Sequence, residues 1–222
     1  RVLNMNKEWS ELNKTMQAQI KKKDTYKMGI DTLFNLRRQL MQTLVSFKED
    51  LCREDFNAIP FINADGYHSK TIAYSIWHIF RIEDIVAHTV ITEDEQVFFT
   101  GNYQVRINSP IITTGNELVK QQIADFSKQL NLEELYSYIF EVRESTEKIL
   151  ERFSYDELKW KIPDERKGYL KSLNVVNCDE KAIWLIDYWC SKDIRGLIQM
   201  PFSRHWIMHT EACLRIKNKM HS

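Results

Sequence analysis

The stretch "NLEELYSYIFEVRESTEKILERF", from Asn131 to Phe153, has the clearest helical pattern in this chain. Its apolar side chains recur at three- and four-residue spacing, which places them on one face of an α-helix. That face consists of Leu132, Leu135, Ile139, Val142, Ile149 and Phe153. Asn131, followed three residues later by Glu134, resembles a capping box. The stretch therefore predicts a helix with one buried face, and such a face needs partners.

Similar patterns before and after this stretch supply the partners. The chain contains only 6 Gly and 4 Pro, so helices can run long, and the predicted fold class is all-α. The other predicted helices run from Asp24 to Leu51, from Ser69 to Ile91, from Pro201 to Lys217 and, as an additional helix, from about Asp179 to Arg195. Together they predict a four-helix bundle over residues 24–222.

The connections between these helices are long. The apolar pattern weakens between Thr92 and Leu130 and again between Tyr155 and Cys178. Long connections allow helices to cross over the end of a bundle, and loops of this length are often functional. A shorter apolar stripe, from Trp9 to Ile20, predicts an N-terminal helical extension over residues 1–23, packed on the outside.

Charge and hydropathy exclude several classes of partner. The 222 residues carry 31 basic and 31 acidic side chains, for a formal net charge of zero. We therefore expect no nucleic-acid binding, which requires clustered Lys and Arg. No segment approaches the ~20 apolar residues of a membrane span, and none resembles a signal peptide. The four cysteines are dispersed, which is typical of buried free thiols in a reducing compartment, and we expect a cytoplasmic protein.

Two histidines lie four residues apart in "SRHWIMHTEA", from Ser203 to Ala212. His205 and His209 are on one face of the final predicted helix, about one turn apart. The same face carries apolar residues, so both imidazoles point towards the core. A single inward-facing histidine is usually a core residue with a hydrogen-bond partner. A pair at this spacing favours a metal site, because neutral imidazole is a common ligand for zinc and nickel.

A third inward-facing histidine, His78, lies in "IWHIFRIED" on an earlier helix. Three histidines would hold one divalent ion and leave coordination positions open. The pattern is not that of the zincin proteases, because Trp206 follows His205 where a glutamate would be needed. Three neutral ligands would leave the ion its full charge, so that a bound water or thiol could ionise.

These motifs resemble a known family. "SIWHIFRIED" around His78, followed far downstream by "GLIQMPFSRHWIMH" ending at His209, is similar to the DinB-like superfamily, also known as YfiT-like metal-dependent hydrolases. The resemblance covers about Asp24 to the C-terminus. It implies a four-helix bundle with crossover connections, and a zinc or nickel ion held by His78, His205 and His209. It also implies a homodimer, and in characterised relatives a low-molecular-weight thiol is the cosubstrate of transfer or isomerisation.

Two further residues are candidates for binding a substrate. Arg81, one helical turn after His78, could hold a carboxylate, or could instead form a salt bridge to Glu83, Asp84 or another acidic residue. Tyr188 could donate a proton or orient a histidine, or could be a bundle aromatic. We expect Glu83 and Asp84 to point away from His78.

The remaining histidines and the tryptophans have simpler interpretations. His68, His88 and His221 are expected to face solvent. The tryptophans Trp77, Trp184, Trp189 and Trp206 could form the walls of a pocket or belong to the core.

Three functions fit the sequence. The first is a metal-dependent enzyme of the thiol S-transferase or hydrolase type, acting on a small molecule. The second is a helical bundle that binds a metal ion or small ligand without turnover. The third is an interaction protein in which the histidines are structural.

Overall fold

A computed structural model describes the backbone of residues 2–222 and the side chains of residues 6–222. This part of the chain forms no β-strand, and its one β-type pairing is an isolated bridge between Lys161 and Asp193. The helices are α1 (Val2–Ile20), α2 (Tyr26–Asp50), α3 (Arg53–Asn57), α4 (Ile72–Asp84), α5 (Val97–Thr100), α6 (Tyr103–Ile107), α7 (Gln121–Gln129), α8 (Leu132–Glu151), α9 (Glu165–Ser172), α10 (Glu180–Cys190), α11 (Ile194–Gln199) and α12 (His205–Met220). The predicted all-α fold class is confirmed.

Four of these helices form the bundle. α2 and α4 each contact both α8 and α12, which closes a ring of four. Their apolar faces meet in the centre, where Leu40, Ile79, Phe80 and Ile139 are completely buried. Packing in the bundle places α4 beside α12, and these two helices carry all three candidate ligands. Within the described part of the chain, no helix has the length and apolar character needed to cross a bilayer.

The N-terminal helix α1 packs along α2. The two backbones approach closely at Gly29, where a Cβ atom would lie only 2.5 Å from the Cγ2 atom of Ile20. Trp9 and Met16 of α1 are buried in the core. The stripe that predicted an outer helix therefore also contributes side chains to the protein interior.

Capping residues set the beginnings of α8 and α4. The Oδ1 atom of Asn131 accepts a hydrogen bond from the backbone N–H of Glu134 at 3.2 Å, which confirms the predicted cap. The Glu134 carboxylate does not close a capping box, because it pairs with Arg106. At α4 the cap is Thr71 rather than Ser69, since the Oγ1 atom of Thr71 accepts from the N–H of Tyr74 at 3.0 Å.

The segment before α12 differs from the prediction. The helix expected from Asp179 to Arg195 is divided into α10 and α11, because Asp193 accepts a hydrogen bond from the N–H of Gly196 and caps a new helix. Pro201 lies in a π-helical turn, Met200–Arg204, so α12 begins at His205. A second π-helical segment, Ile85–Thr92, continues α4 beyond Asp84.

A buried charged cluster joins the helices of the bundle. The Arg37 guanidinium of α2 donates to both carboxylate oxygens of Glu83 on α4, at 2.6 and 2.9 Å, and to the carbonyl oxygen of Phe202 at 3.0 Å. Glu83 also accepts from the indole N–H of Trp206 at 2.6 Å. Arg37 and Glu83 are both fully buried. Glu83 therefore points into the centre of the bundle, between partners from α2 and α12.

Candidate metal centre

Three histidines converge between α4 and α12. His78, His205 and His209 each offer one ring nitrogen, and these three atoms lie within 4.8 Å of one another. The ring centroids are 4.5 to 5.1 Å apart. Each residue is less than 10% exposed: 4%, 7% and 4% respectively. The structure therefore brings together all three sequence-predicted ligands.

Local structure on α12 aims two of these side chains inward. His205 and His209 are separated by one α-helical turn, so their rings project from the same face. The π-helical turn Met200–Arg204 precedes them and ends where the α-helix begins. That wider turn sets the angular position of His205 relative to the preceding segment of chain.

The orientation of His78 is fixed by the connection between α4 and α8. The Nδ1 atom of His78 lies 2.6 Å from the carbonyl oxygen of Thr114, so Nδ1 carries the proton and donates it. The Tyr74 ring stacks on the His78 ring with a centroid distance of 5.3 Å. The Tyr74 hydroxyl donates in turn to the carbonyl oxygen of Gly115 at 2.8 Å. Because Nδ1 is occupied, Nε2 of His78 is the nitrogen left to bind a metal.

The backbone around Thr114 requires glycine at position 115. Gly115 has a φ of +79°, and a Cβ atom there would lie 2.9 Å from the rings of both Trp77 and Tyr74. A positive φ is costly for residues with a side chain. The long connection thus reaches the histidines through a turn that only glycine fits well.

Burial keeps the three imidazoles neutral. It lowers the pKa of His78 to about 4, although the hydrogen bond to Thr114 acts in the opposite direction. Burial also lowers the pKa of His205 and of His209 well below the ordinary value of 6.5, and the neighbouring histidine rings lower both further. Neutral imidazole is the form that binds metal ions, so the site is in its ligating state at neutral pH.

The donor set fits a divalent metal ion. The Nδ1 atoms of His205 and His209 are buried and have no hydrogen-bond partner in the part of the chain described. No hydrogen bond from residues 6–222 at Nδ1 holds either ring in one tautomer, so each can present a nitrogen to an ion. Three imidazoles around one point are a ligand set for zinc, nickel or a similar ion.

A cavity of about 370 Å³ opens beside the histidines. It is lined by Gly66, Tyr67, Lys70, Tyr74, His78, Ile82, Asn116, Trp184, Leu185, Tyr188, Trp189, Met200, Pro201, His205, Met208 and His209. Its size and largely apolar walls are those of a small-molecule site. A ligand in this cavity would lie against the imidazoles.

The two predicted substrate-binding residues have different positions. Tyr188 lines the cavity, as does its neighbour Trp184. Arg81 does not: its guanidinium is fully buried and donates to the carbonyl oxygen of Ile112 at 2.6 Å, with Asp84 at 3.5 Å. The alternative interpretation of Arg81 as a salt-bridge partner of Asp84 is the one that agrees with the structure. The substrate contact expected of Arg81 is corrected, because these partners hold it away from the cavity.

His88 is a second correction. It is buried rather than solvent-facing, with Nδ1 at 2.6 Å from an Asp94 oxygen and Nε2 at 2.8 Å from the Ser145 hydroxyl. The prediction assumed 3.6 residues per turn along the whole helix. His88 lies in the π-helical segment, where turns are wider and that spacing does not apply.

The tryptophans and cysteines are divided between two environments. Trp184 and Trp189 line the cavity, and Trp189 is also buried in the core, as are Trp77 and Trp206. Cys190 and Cys213 are buried as expected, but the free cysteines Cys52 and Cys178 are exposed, which corrects the expectation of four buried thiols. The rings of Trp184 and Tyr188 lie 5.6 Å apart at the cavity wall.

Several residues of the site were not identified from the sequence. Tyr74 lies one turn before His78 on α4, and that spacing was a usable signal. Thr114 and Asn116 lie in a connection without a repeating pattern, and Lys70 precedes its helix. Only the three-dimensional path of the chain brings these three residues to the histidines.

Comparison with known proteins assigns no family to this chain. No family model matches the chain, and no curated protein does.

Proposed function

We propose that this protein binds one divalent metal ion through His78, His205 and His209 and acts on a small molecule held in the adjoining cavity. One observation carries the proposal: three buried, neutral imidazoles offer nitrogens within 4.8 Å of one another at the wall of a cavity. The resemblance of the two histidine motifs to the DinB-like superfamily agrees with it.

Zinc and nickel are the proposed ions, because both accept imidazole ligands readily. A divalent ion with three neutral ligands supplies Lewis acidity, lowering the pKa of a water or thiol bound to it. The chain's own residues do the remaining work. Thr114 holds the tautomer of His78, while Trp184, Trp189 and Tyr188 wall the cavity and restrict water.

We propose a reaction of the thiol S-transferase or hydrolase type. A thiol nucleophile would have to come as a low-molecular-weight cosubstrate. Cys213 is completely buried in the core, and burial raises the pKa of its thiol to about 12. Cys190 is also buried, and neither cysteine lines the cavity. A thiol within the chain is therefore not placed to react there.

A non-catalytic bundle that binds a metal ion or ligand is the second candidate. The observation that favours it is the composition of the cavity wall, which has no Asp or Glu side chain among the described residues. Many hydrolases use a carboxylate beside the metal as the general base. Here a base other than a carboxylate would be required.

Metal analysis tests the site. The protein should retain about one equivalent of zinc or nickel after gentle purification, and His209→Ala should lose most of it with little change in helix content. His221→Ala is the matched control, because His221 is exposed and lies outside the cavity. Full metal occupancy in His209→Ala would refute the ligand assignment.

Turnover separates the two candidate functions. Metal-loaded protein is mixed with glutathione, bacillithiol or cysteine and a chromogenic electrophile, and the assay is repeated with His78→Ala. Conjugation that needs both the metal and His78 supports the enzyme. No acceleration with any thiol, together with tight binding of small molecules, supports the non-catalytic bundle.

A further inference from the structure

The polar part of the cavity wall is positively biased. Its sixteen lining residues include one lysine, Lys70, and no acidic residue. The three histidines are neutral and add no charge of their own, so Lys70 is the one charged side chain of this wall among the described residues. Lys70 lines the same cavity as the histidines, and its charge contributes to lowering the pKa of His78 and of His209.

Lys70 itself has no carboxylate partner among residues 6–222. Its ammonium group lies 5.3 Å from the centre of the Tyr74 ring. Burial alone lowers its pKa, with no acidic group raising it. Other lysines of the chain, such as Lys48 and Lys167, pair with Glu133 and Asp187. A partly buried lysine that faces a cavity without an acid is a binding group for an anion.

Asn116 offers a second donor at the same wall. Its Oδ1 atom accepts a hydrogen bond from the Thr114 hydroxyl at 2.8 Å. The carbonyl side of the amide is thereby engaged, and the Nδ2 amide group remains to donate. Both Lys70 and Asn116 line the cavity. An ammonium and an amide N–H are both donors that a carboxylate oxygen accepts from.

The remaining walls are apolar and aromatic. Trp184, Trp189, Leu185 and Met208 contribute to them. A cavity of about 370 Å³ has room for a ring with a short chain. Phosphate groups are usually held by several cations or by a helix N-terminus, whereas the chain's own described side chains provide a single cation at this wall.

We propose that the cavity binds small amphipathic carboxylic acids, with the carboxylate at Lys70 and Asn116 and the apolar body against Trp184 and Trp189. That such acids are the substrates of the metal-dependent reaction rests on the proposed function. The binding step, however, is measurable with and without the metal.

A matched set of probes tests the charge requirement. Phenylbutyrate, its neutral amide and phenylbutylamine share one apolar body and differ in the head group. Binding to the full chain is followed by calorimetry, with protein as purified and after metal removal. We expect the carboxylate to bind about tenfold more tightly than the amide, and the amine most weakly, since hydrogen bonds to charged groups favour binding by this order.

Three variants connect the preference to Lys70. Lys70→Gln should remove the preference for the acid over the amide, while Lys70→Arg should keep it. Lys14→Gln is the matched control, because Lys14 is exposed on α1 and does not line the cavity. Circular dichroism checks that each variant is folded.

The outcomes separate this inference from the proposed function. Equal binding of acid and amide by the unmodified protein, or a preference that survives Lys70→Gln after metal removal, overturns the carboxylate site even if the protein as purified holds one equivalent of metal. A Lys70-dependent preference supports the carboxylate site, whether or not metal analysis finds an ion. Absence of metal would count against the proposed function alone.

Discussion

Replacing Arg37 with methionine tests the buried charged cluster beneath the histidines. Arg37→Met preserves much of the side-chain volume but removes the guanidinium. The substitution removes both ion-pair hydrogen bonds to Glu83, the bond to the Phe202 carbonyl oxygen and the 3.1 Å contact with Glu147. Glu83 would keep the indole N–H of Trp206, without a compensating cation.

We expect Arg37→Met to lower the free energy of unfolding by about 3–5 kcal/mol, the usual effect of removing one partner of a buried ion pair. Both side chains of the pair are completely buried, so solvent does not screen the loss. Arg143→Met is the matched control. Arg143 donates to the same Glu147 at 3.1 Å but is partly exposed, and its loss should cost less than about 1 kcal/mol.

The pH dependence of the variant provides a second check. Burial raises the pKa of Glu83 in the native protein, and Arg37 opposes that rise. Without Arg37 the native pKa of Glu83 rises further above its unfolded value. The native state then binds a proton that the unfolded state has released, so stability falls as pH increases between those two pKa values. The deficit of Arg37→Met should therefore be smaller at pH 5 than at pH 8.

Urea denaturation followed by circular dichroism measures both effects. The unmodified protein, Arg37→Met and Arg143→Met are compared at each pH. A loss below about 1 kcal/mol in Arg37→Met, or a deficit that grows as the pH falls, would show that the buried ion pair does not stabilise the bundle as argued.

Two further predictions concern the histidines and the turn that supports them. Gly115→Ala should lower the free energy of unfolding by about 2–4 kcal/mol, measured by thermal or urea unfolding, because the new Cβ combines a positive φ with close contacts to two aromatic rings. Gly168→Ala is the control: a Cβ there meets nothing within 4 Å, so this substitution should not destabilise the protein. Metal-free protein should lose stability as the pH falls from 6.5 towards 4, by about 3 kcal/mol for His78 alone, because burial lowers its pKa from 6.5 to about 4 and the unfolded state takes up the proton first. A free energy of unfolding that does not change between pH 6.5 and pH 4, or one whose full pH dependence persists in His78→Gln, would contradict the contribution assigned to His78.

Sequence periodicity was sufficient to predict the main bundle helices because their buried faces follow the regular 3.6-residue turn. The same regularity placed His205 and His209 on one face of α12. The prediction failed where the turn widens: His88, in the π-helical segment, points into the protein instead of towards solvent.

Partners distant in sequence explain the other differences. Glu83 and Arg81 look like surface charges when only their own helix is considered. Each is buried because another element supplies a partner, Arg37 from α2 for Glu83 and the carbonyl oxygen of Ile112 for Arg81. The proximity of Lys70 and Asn116 at the cavity likewise depends on how the long connection folds back on the bundle.

The group that orients His78 is a backbone carbonyl, not a side chain. Every amino acid at position 114 carries that carbonyl, so no single substitution of Thr114 deletes the acceptor atom itself. A mutational scan of side chains would consequently miss an atom that positions a ligand of the proposed metal site. The backbone conformation of the loop around residue 114 positions the carbonyl that orients His78. A change in the length or conformation of that loop would therefore remove this hydrogen bond.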